Sequence, residues 1–163
     1  MNTFQDLRKD KFIPLNLPAF NYCIEEKQGQ LQIYDPFRLK YVSLTPEEWV
    51  RQHFLHYLYL SLGYPKQAIA VEVPIARSLR ADRADALVYG PGGVLLALLE
   101  FKAPQVNITQ QVLAQISRYN LYLAAPYLMI SNGLQHSVFK TNTTLKTFEP
   151  LSHIPDYKEL IIR

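Results

Sequence analysis

Three residues in one short stretch carry the chemistry that this sequence offers: Asp85, Glu100 and Lys102. The run Arg83-Ala84-Asp85-Ala86-Leu87-Val88-Tyr89 is followed by Gly90-Pro91-Gly92-Gly93, and then by Val94-Leu95-Leu96-Ala97-Leu98-Leu99-Glu100-Phe101-Lys102. Two apolar, strand-like runs thus flank a Gly/Pro turn. One carboxylate enters the first run; a second, with a lysine two residues on, closes the second. A carboxylate is costly on an apolar sheet unless something pairs with it. Side chains alternate across a strand, so Glu100 and Lys102 share a face about 7 Å apart. A simple hairpin closed by Gly90–Gly93 places Asp85 opposite Leu98, with Glu100 a diagonal neighbour on the same face. Two converging carboxylates make a hard, oxygen-rich site that suits Mg²⁺ (Mn²⁺ being a usable substitute) completed by water and a substrate phosphate. Lys102 beside them could orient or deprotonate an attacking water, or stabilise a pentavalent phosphate. Acid-x-Lys at a strand end is by itself a common solvated pair; Asp85 one hairpin away sets this one apart.

The elements that must position these groups can be read from pattern. Thr45-Pro46-Glu47-Glu48 is a helix start, with Thr45 as N-cap, Pro46 at the first helical position and Glu48 completing a capping box. The helix runs to about Leu62 with Trp49, Val50, Phe54, Tyr57, Leu58 and Leu62 as its apolar stripe, and Gly63 and Pro65 stop it. Strands are expected over Ala68–Pro74, Ala84–Tyr89 and Val94–Phe101, the last two antiparallel. A second helix begins at Asn107 or Thr109 and ends before Pro126, with Leu113, Ile116 and Leu123 toward the core. Tyr127–Ser131 and Gln135–Lys140 pair across Asn132-Gly133. Upstream, Met1–Pro18 reads as a surface arm, and Phe20–Glu25 with Gln30–Tyr34 as a hairpin with a longer loop. A short strand near Phe148 and a helical turn near Asp156–Leu160 follow the core. The reading is one domain over 1–163: arm 1–18, hairpin 20–34, core 45–140. The class is α/β, a mixed central sheet flanked by helices in the order α-β-β-β-α-β.

The 163 residues and 48% hydrophobic content suffice for a core, and the net charge of +3 permits a polyanionic partner without demanding one. One cysteine, Cys23, rules out an intramolecular disulfide, and it reads as a small packed residue in a reducing compartment. The N-terminus is no signal peptide and the longest apolar run is too short for a membrane, so a cytoplasmic protein without membrane contact is expected. No G-x-x-x-x-G-K-[ST] loop is present, which argues against a nucleotide-driven motor.

The spacing Asp85…Glu100-x-Lys102 in a strand–turn–strand between two helices resembles the PD-(D/E)XK nuclease core. The likeness goes further. Thr45–Gln52, Gly63-Tyr64-Pro65-Lys66, Val71-Glu72-Val73-Pro74, Arg83-Ala84-Asp85, Glu100–Pro104, Gln115–Asn120 and Asn132-Gly133 resemble the N-terminal nuclease domain of type I restriction enzyme R subunits. The resemblance spans roughly Asp35 to Lys140. It implies Mg²⁺-dependent DNA cleavage through Asp85, Glu100 and Lys102, with restriction-modification subunits as partners. It also puts the superfamily's first-helix glutamate at Glu48, as a metal ligand directly or through water, beside its capping role. The Gln-x-x-x-Tyr pattern falls on Gln115 and Tyr119, one turn apart on a helix face, where they would position substrate. Ala84 departs from the family's proline, and the resemblance is to the nuclease module without its translocase.

Further candidates are weaker. Lys66, Arg77, Arg80 and Arg83 could contact DNA phosphates or simply solvate a loop. His53 and His56 are three apart on a helix but lack a third ligand, and read as surface or partly buried residues. Glu72 could approach the site from the adjacent strand, but reads more readily as a solvated-face or ladder residue. One site cuts one strand, so a double-strand break calls for a homodimer or two events. The alternative is a non-cleaving DNA-binding or interaction module of a restriction or defence complex, and RNA as substrate is a more distant one.

Overall fold

A computed structural model of the chain describes residues 12–75, 82–142, 144 and 147–162. Nine strands and three helices follow in the order β1 (Ile24–Lys27), β2 (Gln30–Asp35), β3 (Lys40–Ser43), α1 (Pro46–Ser61), β4 (Ile69–Pro74), β5 (Arg83–Tyr89), β6 (Leu95–Phe101), α2 (Gln110–Leu123), β7 (Tyr127–Ser131), β8 (His136–Asn142), β9 (Thr147–Leu151) and α3 (Tyr157–Ile161). β4 to β9 form one six-stranded sheet in chain order, and β1 to β3 form a separate three-stranded meander. The β6–α2–β7 crossover makes β6 and β7 a parallel pair; the other pairings of the large sheet are antiparallel. The expected mixed α/β core is therefore present in its expected order.

Alternation along the central strands separates two cores. Ala97, Leu99, Phe101 and Met129 pack with Val50, Phe54, Leu55 and Leu58 of α1. Leu98, Leu128 and Ile130 pack with Val112 and Ile116 of α2. A third cluster of Ile33, Leu44 and Trp49 joins the small sheet to α1. Helix α1 is thus covered on both sides, and every residue from Glu48 to His56 is buried. A single apolar stripe is the signature of a one-sided helix; here the two-sided burial brings Arg51, Gln52, His53 and His56 inside as well.

Five local expectations are corrected. The β1–β2 hairpin has a two-residue turn, Gln28-Gly29, both residues at positive φ, in place of a longer loop. Its first strand starts at Ile24, and β3 was not anticipated. The arm is not wholly superficial: Leu15 and Leu17 pack on the main core, and the Asn16 amide donates to the Gly133 carbonyl at 2.8 Å. A Cβ at Gly133 would meet Leu15 at 2.7 Å, and its φ of +83° is a second reason for glycine there. His53 and His56 are buried, each Nδ1–H donating to a backbone carbonyl one turn back, at 2.9 and 2.7 Å. Phe20 stacks on His56 with ring centroids 3.8 Å apart, so the two imidazoles are packing groups under the small sheet. Cys23 is exposed.

Candidate active site

The site lies where the β4–β5–β6 ladder opens. β5 and β6 pair as Ala86↔Leu99, Leu87↔Leu98 and Val88↔Ala97, and a bulge shifts the register at Tyr89. This is offset from the simple hairpin expected above, and the extrapolated partner of Asp85 is Glu100 itself rather than Leu98. Past Ala86 the ladder gives way to a side chain: Asp85 Oδ2 accepts the Phe101 amide at 2.7 Å. On the other edge, Val71↔Ala86 and Val73↔Ala84 pair, but the intervening Glu72 adopts φ +56° and makes no ladder bridge to Asp85. A left-handed non-glycine residue inside a strand is strained, and such strain gathers at functional sites.

On the β6 side, Lys102 Nζ donates to Glu100 Oε1 at 2.7 Å and to Gln115 Oε1 at 3.3 Å. Gln115 Nε2 donates to the same Glu100 oxygen at 3.1 Å and to the Tyr119 hydroxyl at 3.3 Å. Glu100, Lys102, Gln115 and Tyr119 thus meet as expected. Glu100 is 4% exposed, and its second oxygen takes no hydrogen bond among the described residues. Burial, and then the charge of Asp85, raise its pKa to about 7 against the opposing pull of Lys102. Asp85 is raised as well, burial outweighing the pull of Arg51 and of the Phe101 amide. Burial alone would lower the Lys102 pKa, but its hydrogen bond to Glu100 and the charges of Glu100, Glu47 and Asp85 hold it above the ordinary value. Lys102 is a protonated cation at neutral pH.

On the α1 side the organising group is Arg51, which the sequence reading did not single out. Its Nη1 lies 2.7 Å from Glu48 Oε2 and 2.8 Å from Glu72 Oε1, and its Nη2 lies 3.1 Å from Asp85 Oδ1. Glu48 is fully engaged: its other oxygen accepts from Arg38 Nη2 at 2.6 Å and from Gln52 Nε2 at 2.9 Å. Arg38 in turn pairs with the buried Asp35 of β2. Glu48, expected as a metal ligand, has its carboxylate on two guanidinium groups and an amide in the metal-free fold. Its capping box is half made: Thr45 Oγ1 accepts the Glu48 amide at 3.0 Å, but the Glu48 side chain turns inward to those partners.

The α1 acid whose charge reaches the open side is Glu47. Burial and then Asp85 raise its pKa, Lys102 and Arg51 lower it, and its own charge is felt at Glu100 and Lys102. Adjacent helical residues point about 100° apart, so a Glu-Glu pair cannot reveal which member faces a strand; the i,i+4 spacing of Glu47 and Arg51 is the one hint available. Glu72, read as a solvated residue, is the Arg51 partner described above. Among the described residues no three His, Cys, Asp or Glu side chains converge as a ready metal cage. The donor set that does fit a hard divalent cation is Asp85 with Glu100: two carboxylates whose pKa values are raised chiefly by burial, one keeping an oxygen free, with water to complete the shell.

The basic candidates are less tied to the site. Arg77 and Arg80 lie outside the described residues. Arg83 is exposed, with Nη1 3.3 Å from the Glu72 carbonyl. Lys66 sits in a short 3₁₀ turn after α1, and its charge is felt at His56. No helix among the described residues is long and apolar enough to cross a membrane.

Comparison with known proteins agrees with the fold. A solved fragment described as an HsdR subunit of a type I restriction enzyme from Vibrio vulnificus YJ016 superposes with a TM-score of 0.54 at 18% identity, over 70% of this chain and 24% of that one. At that identity the likeness is one of fold, and the chain spans under a third of the fragment's length. No curated protein matches the sequence. Residues 46–155, from the first turn of α1 to the entry of α3, match the family described as the type I restriction enzyme R protein N terminus (HSDR_N), and the chain belongs to that family.

Proposed function

We propose that the chain hydrolyses DNA phosphodiester bonds with Mg²⁺, as a nuclease module of a restriction system. The observation that carries this reading is the group at the open end of β5 and β6: Asp85 and Glu100 side by side, with Lys102 and Gln115 on the same Glu100 oxygen. Asp85 and Glu100 are the residues that would hold the cation, Mn²⁺ serving as substitute. The cation would supply Lewis-acid activation of water and charge neutralisation at the phosphate.

The rest is done by protein groups. The Phe101 amide fixes Asp85 Oδ2, and Gln115 fixes Glu100 Oε1, so neither carboxylate needs to reorganise on binding. Protonated Lys102 stabilises charge developing on the phosphate oxygens and orients the water that attacks in line. It is not the base. Glu47, whose charge is felt at Glu100 and Lys102, is the candidate to accept a proton through water, and Tyr119, bonded to Gln115, the candidate to touch the substrate backbone. Each site cuts one strand, so a double-strand break calls for two copies or two events. DNA and restriction-modification subunits are the partners that follow from the family.

The test is nicking of supercoiled plasmid by the purified chain. Cutting is expected with Mg²⁺ or Mn²⁺, and loss of it with a chelator or with Lys102→Ala. Cutting that survives both changes refutes the mechanism. Plasmid binding without cutting under every metal condition favours the non-cleaving module instead.

A further inference from the structure

We infer that Arg51 is a positioning residue that fills the place of a second cation, so that each site takes a single divalent ion; this rests on the metal reading above. Two-metal phosphodiester cleavage sets its ions about 3.5–4 Å apart, within a common set of carboxylates. Besides Glu47, the acids beside the proposed Asp85–Glu100 position are Glu48 and Glu72, and one guanidinium holds an oxygen of each, together with Asp85 Oδ1. Asp85 Oδ2 already accepts the Phe101 amide. The place a second ion would take on that side is therefore held by a cation that cannot be deprotonated in a protein.

Arg51 is built in rather than draped over the site. It is 4% exposed, and its buried Nε has no partner among the described residues, so carboxylates alone hold the guanidinium. Those three carboxylates come from α1, β4 and β5, and Glu48 is itself anchored through Arg38 to Asp35 of the small sheet. Glu100 is the contrast: its cation, Lys102, is on a flexible stem and leaves one oxygen open. One side of Asp85 carries a permanent fixed charge, and the other side is where a metal can enter.

Counting bound Mn²⁺ by electron paramagnetic resonance titration of the protein without DNA tests this apart from activity. The wild type is expected to bind one ion, Arg51→Lys one, and Arg51→Gln two, the added ion being lost again in Arg51→Gln with Glu72→Gln. If Arg51→Gln does not fold alone, millimolar Mn²⁺ is expected to restore its fold by replacing the missing charge, and failure to do so counts against the inference. Two ions in the wild type or in Arg51→Lys, or one in folded Arg51→Gln, overturns it while leaving the metal reading intact. No ion in the wild type overturns both.

Discussion

Two cation–carboxylate groups sit on either side of Asp85 and are built differently. The Arg51 group is closed. Its guanidinium spans Glu48, Glu72 and Asp85, and each Glu48 oxygen is held. The Lys102 group is open: one Glu100 oxygen is bonded twice and the other not at all among the described residues. A cluster that already holds its own buried cation fixes geometry. An open one keeps a carboxylate oxygen available, and Glu100, raised chiefly by burial and then by the charge of Asp85, gains from a cation placed there. The same ingredients thus serve as scaffold on one side and as site on the other, according to which lone pairs are already used.

The largest effects should separate the two groups by readout. Arg51→Ala leaves three carboxylates near one another without their cation and should cost about 3–5 kcal/mol of folding stability, measured by urea unfolding. Lys102→Ala removes a partly exposed partner and should cost no more than about 1 kcal/mol, yet reduce Mg²⁺-dependent nicking on the order of 100-fold or more. A reversed pattern, with Lys102 governing stability and Arg51 indifferent to it, breaks the distinction.

The adjacent glutamates offer a finer cut. Glu47→Gln should lower nicking roughly tenfold or more with little loss of stability. Glu48→Gln should lower stability by about 2–4 kcal/mol through its two guanidinium partners. Equal effects from the two substitutions contradict the assignment of Glu47 to the open side.

pH supplies a smaller test. The Glu100 pKa is raised to about 7 in the metal-free fold, so between the unfolded value and 7 the native state holds more protons than the unfolded one. Its contribution to stability is therefore greatest below the unfolded pKa and is lost as pH rises through about 7. Unfolding measured from pH 5 to 8 should show this decline in the wild type without Mg²⁺, and a weaker one in Glu100→Gln. His53 and His56 act in the opposite sense. Burial lowers their pKa, so their contribution is present above the unfolded value and falls away on acidification. The smallest effect belongs to Tyr119→Phe, which removes one 3.3 Å hydrogen bond from Gln115 and should change nicking only a few-fold.

The sequence told much of the fold and one side of the site. Helix starts, the Gly/Pro turn and the strand alternation were readable because each is a local signal. Glu100, Lys102, Gln115 and Tyr119 were readable because i,i+2 on a strand and i,i+4 on a helix fix which side chains share a face. What the pattern could not carry was the other face of α1. A helix buried between two sheets shows no polar stripe, so nothing in the pattern singled out Arg51 and Gln52. The Glu47-Glu48 choice depends on helix rotation against β5, a tertiary quantity. Glu72 looked solvated because strand alternation assumes extended geometry, and its φ of +56° departs from that.

The most direct measurement is anomalous diffraction from crystals of this chain soaked in Mn²⁺. The account predicts one peak, in contact with Asp85 and the free oxygen of Glu100, with Arg51 still on Glu48 and Glu72. A peak among Glu48, Glu72 and Asp85 with Arg51 displaced, or full occupancy elsewhere with none at Glu100, would contradict it.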